Sequence, residues 1–221
     1  MSAAAPSWPR ELTDLPFAHV LAPPQEPLAA EGSYDTVHFD RAAYEDPELR
    51  SAHFLECAFT RVTFQDGKFR RCRFTDCWLK DVRMTLSDLA ETAWTDVTII
   101  GGVVAGVQAF TSRLNRVTFA GCKLDSVNFR DAALTDVRFA DCLLRDVDFA
   151  GATLRRVGFG GSTLTQADFS RVTLDHADLR DAELGLIITP DSLRGAIIST
   201  AQLTTMAATL AETLGITVDD G

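Results

Sequence analysis

Residues 117–149 read VTFAG CKLDS VNFRD AALTD VRFAD CLLRD VDF. Written in fives, the third position is Phe or Leu every time, and the first is Val, Cys or Ala. The frame extends in both directions. From Phe39 to Leu184 every fifth residue is apolar, 30 positions without a break, and twelve of the 14 Phe fall in that register. The residue two before each centre is mostly small or β-branched, as at Val62, Cys77, Val97, Ala152 and Ala177. The remaining three positions of each quintet are mostly polar.

Neither regular element accepts this period. On an α-helix, five residues advance about 140° past a full turn, so the apolar positions smear around the cylinder. On a continuous strand an odd step sends successive centres to opposite faces. The backbone must therefore turn a corner in every quintet. Within each short segment the centre and the residue two before it then point the same way, into one interior. The small series sets the number of corners per coil. Val117, Cys122, Val127, Ala132 is followed by Val137, Cys142, Val147, Ala152, a repeat of 20 residues. Four five-residue sides make one coil, and 30 segments make about 7.5 coils. At a strand spacing of ~4.8 Å this is a rod about 36 Å long.

Segments such as Ala177-Asp178-Leu179-Arg180-Asp181 and Ala167-Asp168-Phe169-Ser170-Arg171 resemble those of pentapeptide-repeat proteins. The resemblance covers residues 35–185. It implies an all-β solenoid, a right-handed quadrilateral parallel β-helix, in agreement with the closure argument. The chain then divides into an irregular, Pro-rich segment 1–33, a β-helix 34–185 and a C-terminal segment 186–221. The weakest coil is Ile99 to Phe110, IIGGVVAGVQAF, where Ala109 is an undersized centre and Gly takes polar positions. The frame survives there, so a loose or bent coil is expected and not an inserted loop.

The ends of such a rod need covers. The segment 1–33 is expected to lie partly over the first coil. At the other end Ser199 and Gln202 form a capping-box pattern. Leu203, Met206, Ala207, Leu210 and Leu214 recur at helical spacing, and Gly215 stands where a helix ends. A helix over about 200–214 is expected, with short strands at Gly195–Ile198 and Ile216–Val218. The run Ser192-Leu193-Arg194-Gly195-Ala196, then Gln202, an Ala-rich helix and Leu214-Gly215-Ile216, is similar to the C-terminal end of the fluoroquinolone-resistance branch of the family. That resemblance implies a homodimer through Leu203, Met206, Ala207, Leu210 and Leu214. From the residues alone, the stripe could equally cap its own last coil.

Among 221 residues, 46% are apolar and 24% charged, which suits a chain with a large core. Acidic residues outnumber basic ones 31 to 21, a net charge of -10, which argues against direct nucleic-acid binding. The N-terminus shows no basic region followed by an apolar run, and no stretch is long and apolar enough to span a membrane. The expected compartment is the cytoplasm. All five Cys (Cys57, Cys72, Cys77, Cys122, Cys142) belong to the inward small series, so they read as packing thiols and not as disulfides or metal ligands. The four His are scattered. His176 beside Asp175 and Asp178 is the best acid–base pair available, and it reads as a solvated surface group. Gly101 to Gly106 lacks the Lys-Ser/Thr ending of a phosphate loop. No enzyme, cofactor or metal site is expected.

The surface remains. Positions two after each centre stack into columns. One begins Glu56, Asp76, Asp96 and continues Arg116, Asp136, Arg156, His176; another begins Asp46, Asp66 and recovers at Asp146. Stacked acids repel. One reading is compensation by Arg61, Arg71, Arg73 and Arg138. The other is an acidic stripe that imitates the phosphates of a duplex and binds a basic groove. Some members of the resembling family are DNA mimics that bind DNA gyrase or topoisomerase IV and protect it from fluoroquinolones. The magnitude works against the stripe, since a ~36 Å length of duplex carries about 21 charges. Residues 35–185 hold 23 acidic and 19 basic side chains. The cluster Lys68, Arg70, Arg71, Arg73 interrupts the rod further. The functional expectation is a non-catalytic rod that binds a protein partner, with DNA gyrase as the most specific candidate and a general interaction scaffold as the alternative.

Overall fold

The corner demanded by a five-residue frame is made by one residue per quintet. In the computed structural model, which describes residues 8–219, every fifth residue from Glu31 to Asp181 has a φ between +46° and +71°. This is the left-handed region, where Gly, Asn and Asp sit at least cost. Asp and Gly are accordingly frequent there, although Arg, Glu, Thr and even Leu86 adopt it as well. The result is a four-sided parallel β-solenoid of about 8 coils with one C-terminal helix.

Each strand pairs in parallel with the strand 20 residues on. Tyr34 faces Phe54, Phe54 faces Phe74, and Leu134 faces Leu154 on side A. Phe39 faces Phe59 on side B, Tyr44 faces Phe64 on side C. Side D is held by single bridges from Glu48–Lys68 to Asp148–Asp168. Its corner folds back on itself, with the Cys72 amide donating to the Phe69 carbonyl at 2.9 Å. The centres begin at Tyr34, one segment before the start read from sequence, because the Tyr34 ring stacks on Phe54 at 5.0 Å. That segment accounts for the step from about 7.5 coils toward 8. The frame ends after Leu184, where the register with Leu164–Ala167 slips. Gly185 sits at that slip, and a Cβ there would stand 2.8 Å from the Leu164 carbonyl.

The interior is one column of side chains per side. Rings stack at the coil spacing: Phe54–Phe74 at 4.9 Å, Phe119–Phe139 at 4.9 Å and Phe139–Phe159 at 5.0 Å. Between sides they meet edge to face, as at Phe54–Phe59 and Phe139–Phe149. This is the arrangement that the ring quadrupole favours. The expected weak coil stays in register, with Val103–Ala105 pairing on both sides. Inside it lies an apolar cavity of about 40 Å³, bordered by Met84, Leu89, Trp94, Val104, Ala109 and Leu114.

The C-terminal helix runs Thr200–Thr213, capped by Ser199 and Gln202 as the spacing predicts. The Gln202 side-chain amide donates to the Leu179 and Ala182 carbonyls, both at 2.7 Å, and so covers the end of the last coil. Ala196–Ile197 pairs with Ala177–Asp178. The strand expected at Ile216–Val218 does not form: the Ile216 amide donates back to the Ala211 carbonyl of the helix at 2.8 Å, and Ile216 and Val218 are exposed.

The N-terminal segment meets the expectation in part: Leu28 packs against the main core, and the Tyr34 hydroxyl of the first coil donates to the Pro27 carbonyl at 3.1 Å. Ala22 bridges Val37 in the first coil, but residues 8–21 do not stay there. They run along the outside of side B as two single-turn helices, Leu12–Asp14 and Ala18–Val20. Leu15 and Phe17 bury themselves against Ala58 and Trp78 in a small cluster separate from the main core.

Candidate interaction surface

A filled interior leaves the outside as the only place for recognition. The seven acidic residues singled out from sequence, Asp46, Glu56, Asp66, Asp76, Asp96, Asp136 and Asp146, are all corner residues with positive φ. Their residue type therefore has a conformational cause that the column pattern alone conceals. Glu56, Asp76, Asp96 and Asp136 line the edge between sides A and B. Asp46, Asp66 and Asp146 line the edge between sides C and D. These edges are diagonally opposite, so the seven do not form one patch.

Three of these seven charges are met by cations one coil away, and Asp146 by its neighbour in sequence. Arg116 holds Asp96 with two hydrogen bonds of 2.6 Å, and Arg156 holds Asp136 at 2.6 and 2.7 Å. Lys68 stands 2.9 Å from Asp46. Arg145 reaches Asp146 at 4.0 Å and also pairs with Asp125. Among the described residues Glu56, Asp66 and Asp76 make no ion pair. Partial loss of solvent beside the N-terminal segment, then the nearby Asp96 carboxylate, raises the Asp76 carboxyl above its ordinary value, although the residue stays exposed. The Arg156 guanidinium lowers that of Asp136.

The cations that do this are not the expected ones. Arg61 pairs with Asp40, Arg71 with Glu91, and the Arg138 guanidinium lies over the Trp8 ring. The basic cluster at 68–73 is likewise occupied, with Arg70 on both Asp88 and Glu91. The pairs Asp96–Arg116, Asp136–Arg156, Arg155–Asp175 and Glu91–Arg71 are all 20 residues apart. They clamp neighbouring coils together from outside.

The remaining candidates fall in ordinary places. All five Cys are buried and unpaired, and burial pushes the Cys72 thiol up to about 12. His176 is exposed beside Asp175 at 2.5 Å, while Asp178 pairs with Arg180. Among the described residues no group of three His, Cys, Asp or Glu is placed to hold a metal. Among those residues no helix is long and apolar enough to cross a membrane. Of the C-terminal stripe, Met206 is buried and Leu210 half-buried, whereas Leu203, Ala207 and Leu214 face outward.

Sequence reasoning missed the outer face of side B. Outward positions of a solenoid are ordinarily polar, yet this side carries Ala58, Trp78, Ile100, Ala120 and Ala140. Trp78 is only 2% exposed, because Leu15 and Phe17 cover it. Its indole N–H donates to the Pro9 carbonyl at 3.2 Å. Lys80 holds both Glu11 carboxylate oxygens at 2.8 and 2.7 Å. The signal was available in principle, as a run of apolar residues at polar positions spaced 20 apart.

Family models described as pentapeptide repeat region match residues 93–169 and 112–187, and one described as pentapeptide repeats (9 copies) matches residues 49–93. No curated protein matches the chain. Among solved structures it is similar to HetL, a pentapeptide repeat protein involved in heterocyst differentiation regulation from the cyanobacterium Nostoc sp.. That likeness has 19% identity and a TM-score of 0.53, over 76% of this chain and 85% of that one. A trypsin-treated variant of QnrB1, a plasmid-mediated fluoroquinolone resistance protein, matches at 16% identity and a TM-score of 0.45, over 82% and 98%. A pentapeptide repeat protein from the Arabidopsis thaliana thylakoid lumen matches at 13% and 0.42, over 57% and 86%. At such identities the likeness to HetL is one of fold.

Proposed function

The chain belongs to the pentapeptide-repeat family, and on that premise we propose that it is a non-catalytic rod that binds a protein partner through its outer surface. One observation carries this reading: the interior is packed with its own side chains, so chemistry and recognition must happen outside, where acids such as Asp96 and Asp136 pair with arginines of the next coil. A mixed, internally compensated surface suits a scaffold that recognises shape and apolar contacts. The five unpaired thiols support action in a reducing compartment such as the cytoplasm.

A second reading, an imitation of duplex DNA aimed at the basic groove of DNA gyrase, is favoured by the stacked and unpaired Glu56 and Asp76 on one edge of the rod. A supercoiling assay with purified gyrase tests it. Inhibition or drug protection that is lost in the Glu56→Gln, Asp76→Asn variant supports mimicry. No effect at micromolar protein removes gyrase as the partner and leaves the scaffold.

We further propose that two copies pair through the outward side of the C-terminal helix, where Leu203 is 50% and Leu214 58% exposed. Light scattering of Leu203→Asp should show monomers with unchanged circular dichroism. A dimer persisting in that variant rejects this interface.

A further inference from the structure

The N-terminal segment from Trp8 to Leu21 lies on side B as a bound peptide lies on a receptor. Among the described residues it makes no backbone-to-backbone hydrogen bond to a coil, and the first is made at Ala22, whose amide donates to the Thr36 carbonyl at 3.0 Å. What holds it is side-chain recognition. Leu15 and Phe17 cover Trp78, Glu11 meets Lys80, the Pro9 carbonyl accepts from Trp78, and the Trp8 ring lies 5.6 Å under the Arg138 guanidinium. Its apolar cluster is separate from the main core, so lifting it leaves the ring stacks intact. Along the same side lies a groove of about 600 Å³ lined by Ala140, Gly158, Gly160 and Ile197 together with charged side chains such as Asp136, Arg156 and Asp178. Small residues at these outward positions leave room for a chain to lie close to the coils.

We propose that side B is a peptide-docking track and that residues 8–21 are its resident, displaceable ligand. The partner it fits is a short peptide able to take up such single helical turns, with two apolar or aromatic anchors two residues apart for Trp78 and a carboxylate for Lys80. Aromatic anchors of this kind dominate interface energetics, and the Lys80 contact fixes register. This deepens the binding-rod reading above by naming the partner's chemistry. It fails separately from that reading, because the test needs no outside partner.

The probe is a fluorescent peptide of residues 8–21, titrated by anisotropy against the full chain and against a chain lacking residues 1–20. The truncated chain should bind at least about tenfold more tightly than the full chain, whose track is occupied. In the truncated chain Lys80→Glu should weaken binding by at least about fivefold. Equal binding to both chains, or indifference to Lys80→Glu, overturns the proposal. If the truncated chain does not fold, a protease site placed in the Pro-rich link at 23–27 of the full chain decides instead. Release of the cut fragment on gel filtration at micromolar protein, increased by adding excess peptide, supports a docked ligand. A fragment retained with the rod shows a fixed part of the fold and rejects it.

Discussion

The coils on either side of the rod's middle are filled with rings, and the middle is not. Phe54, Phe74 and Trp94 stack at 4.9 and 4.2 Å below, and Phe119, Phe139 and Phe159 stack at 4.9 and 5.0 Å above. Between Trp94 and Phe119 the centres are Ile99, Val104, Ala109 and Leu114, around a cavity of about 40 Å³. Three buried hydroxyls, Ser87, Thr92 and Ser112, take inward positions there too. Yet the backbone ladder is at its most continuous in this region: Ala93–Ile100 and Arg113–Ala120 run eight residues through a corner, where most strands have three. Hydrogen bonding and packing are thus separately distributed. A solenoid coil touches only its neighbours, so a weak coil is not averaged away by the rest. Native-state hydrogen exchange should show the amides of 97–112 opening at lower free energy than those of 129–159. Equal protection would dissolve the contrast.

The largest effect should come from breaking a ring stack. Phe139 is fully buried and touches Phe119, Phe149 and Phe159. Phe139→Ala removes that filling in a region with no slack, at a cost of ~3–5 kcal/mol in denaturant unfolding. Phe139→Asp should prevent folding, since a lone carboxylate would be buried among rings. If Phe139→Ala costs no more than Ile99→Ala, the stacks are not what distinguishes the ends from the middle.

The middle depends instead on a polar contact. The Trp94 indole N–H donates to the Thr92 hydroxyl at 2.9 Å, and that hydroxyl also meets Ser112 at 3.1 Å and the Leu89 carbonyl at 2.7 Å. Thr92→Val keeps the shape and orphans the buried indole N–H, which costs ~1–3 kcal/mol. Stability unchanged in Thr92→Val would mean that the middle relaxes around the loss.

The frame of five and the period of 20 were legible because both are enforced at 30 successive centres by one physical demand, a filled interior. Weakness at Ala109 was legible for the same reason, as a small residue where its column neighbours are Leu89 and Phe129. The helix start at Ser199 was legible from its reciprocal cap. Three things were not. Tyr34 lies among irregular residues, so its place in the ladder shows only once it stacks on Phe54. The acids at the corners looked like a surface choice, while a positive φ is an equal reason for Asp, and pairs such as Asp96 with Arg116 need the coil geometry to be seen. The N-terminal segment has no period, and its partners Trp78 and Lys80 are some 70 residues away in sequence.

The middle can also be repaired. Ala109→Leu restores the column between Leu89 and Phe129. Filling a cavity of about 40 Å³ at roughly 24 cal/mol per Å³ stabilises by about 1 kcal/mol. The same change at Ala152, a fully buried small position two before the centre Leu154, should overpack and destabilise. Opposite signs at the two positions are the sharpest form of the comparison, and a gain at both would show that the ends are as loose as the centre.

The smallest effects belong to the outer clamps, and their pH dependence has a definite sign. Arg61 lowers the Asp40 carboxyl, Arg71 that of Glu91, and Arg156 that of Asp136. A lowered folded-state pKa gives stability that is present above the unfolded carboxylate value, about 4, and is lost as pH falls through the folded value. Unfolding midpoints should therefore drop on acidification below that value. Asp76 runs the other way. Its raised carboxyl pKa makes the charged form a cost, present above that pKa and removed by protonation. Asp76→Asn should raise the midpoint slightly at pH 7 and leave it unchanged at pH 3, since Asn tolerates the positive φ of this corner. A midpoint lowered at pH 7 would mean that Asp76 is held in place by a favourable contact, and that the edge beneath the N-terminal segment is clamped as firmly as Asp96 and Arg116 clamp the middle.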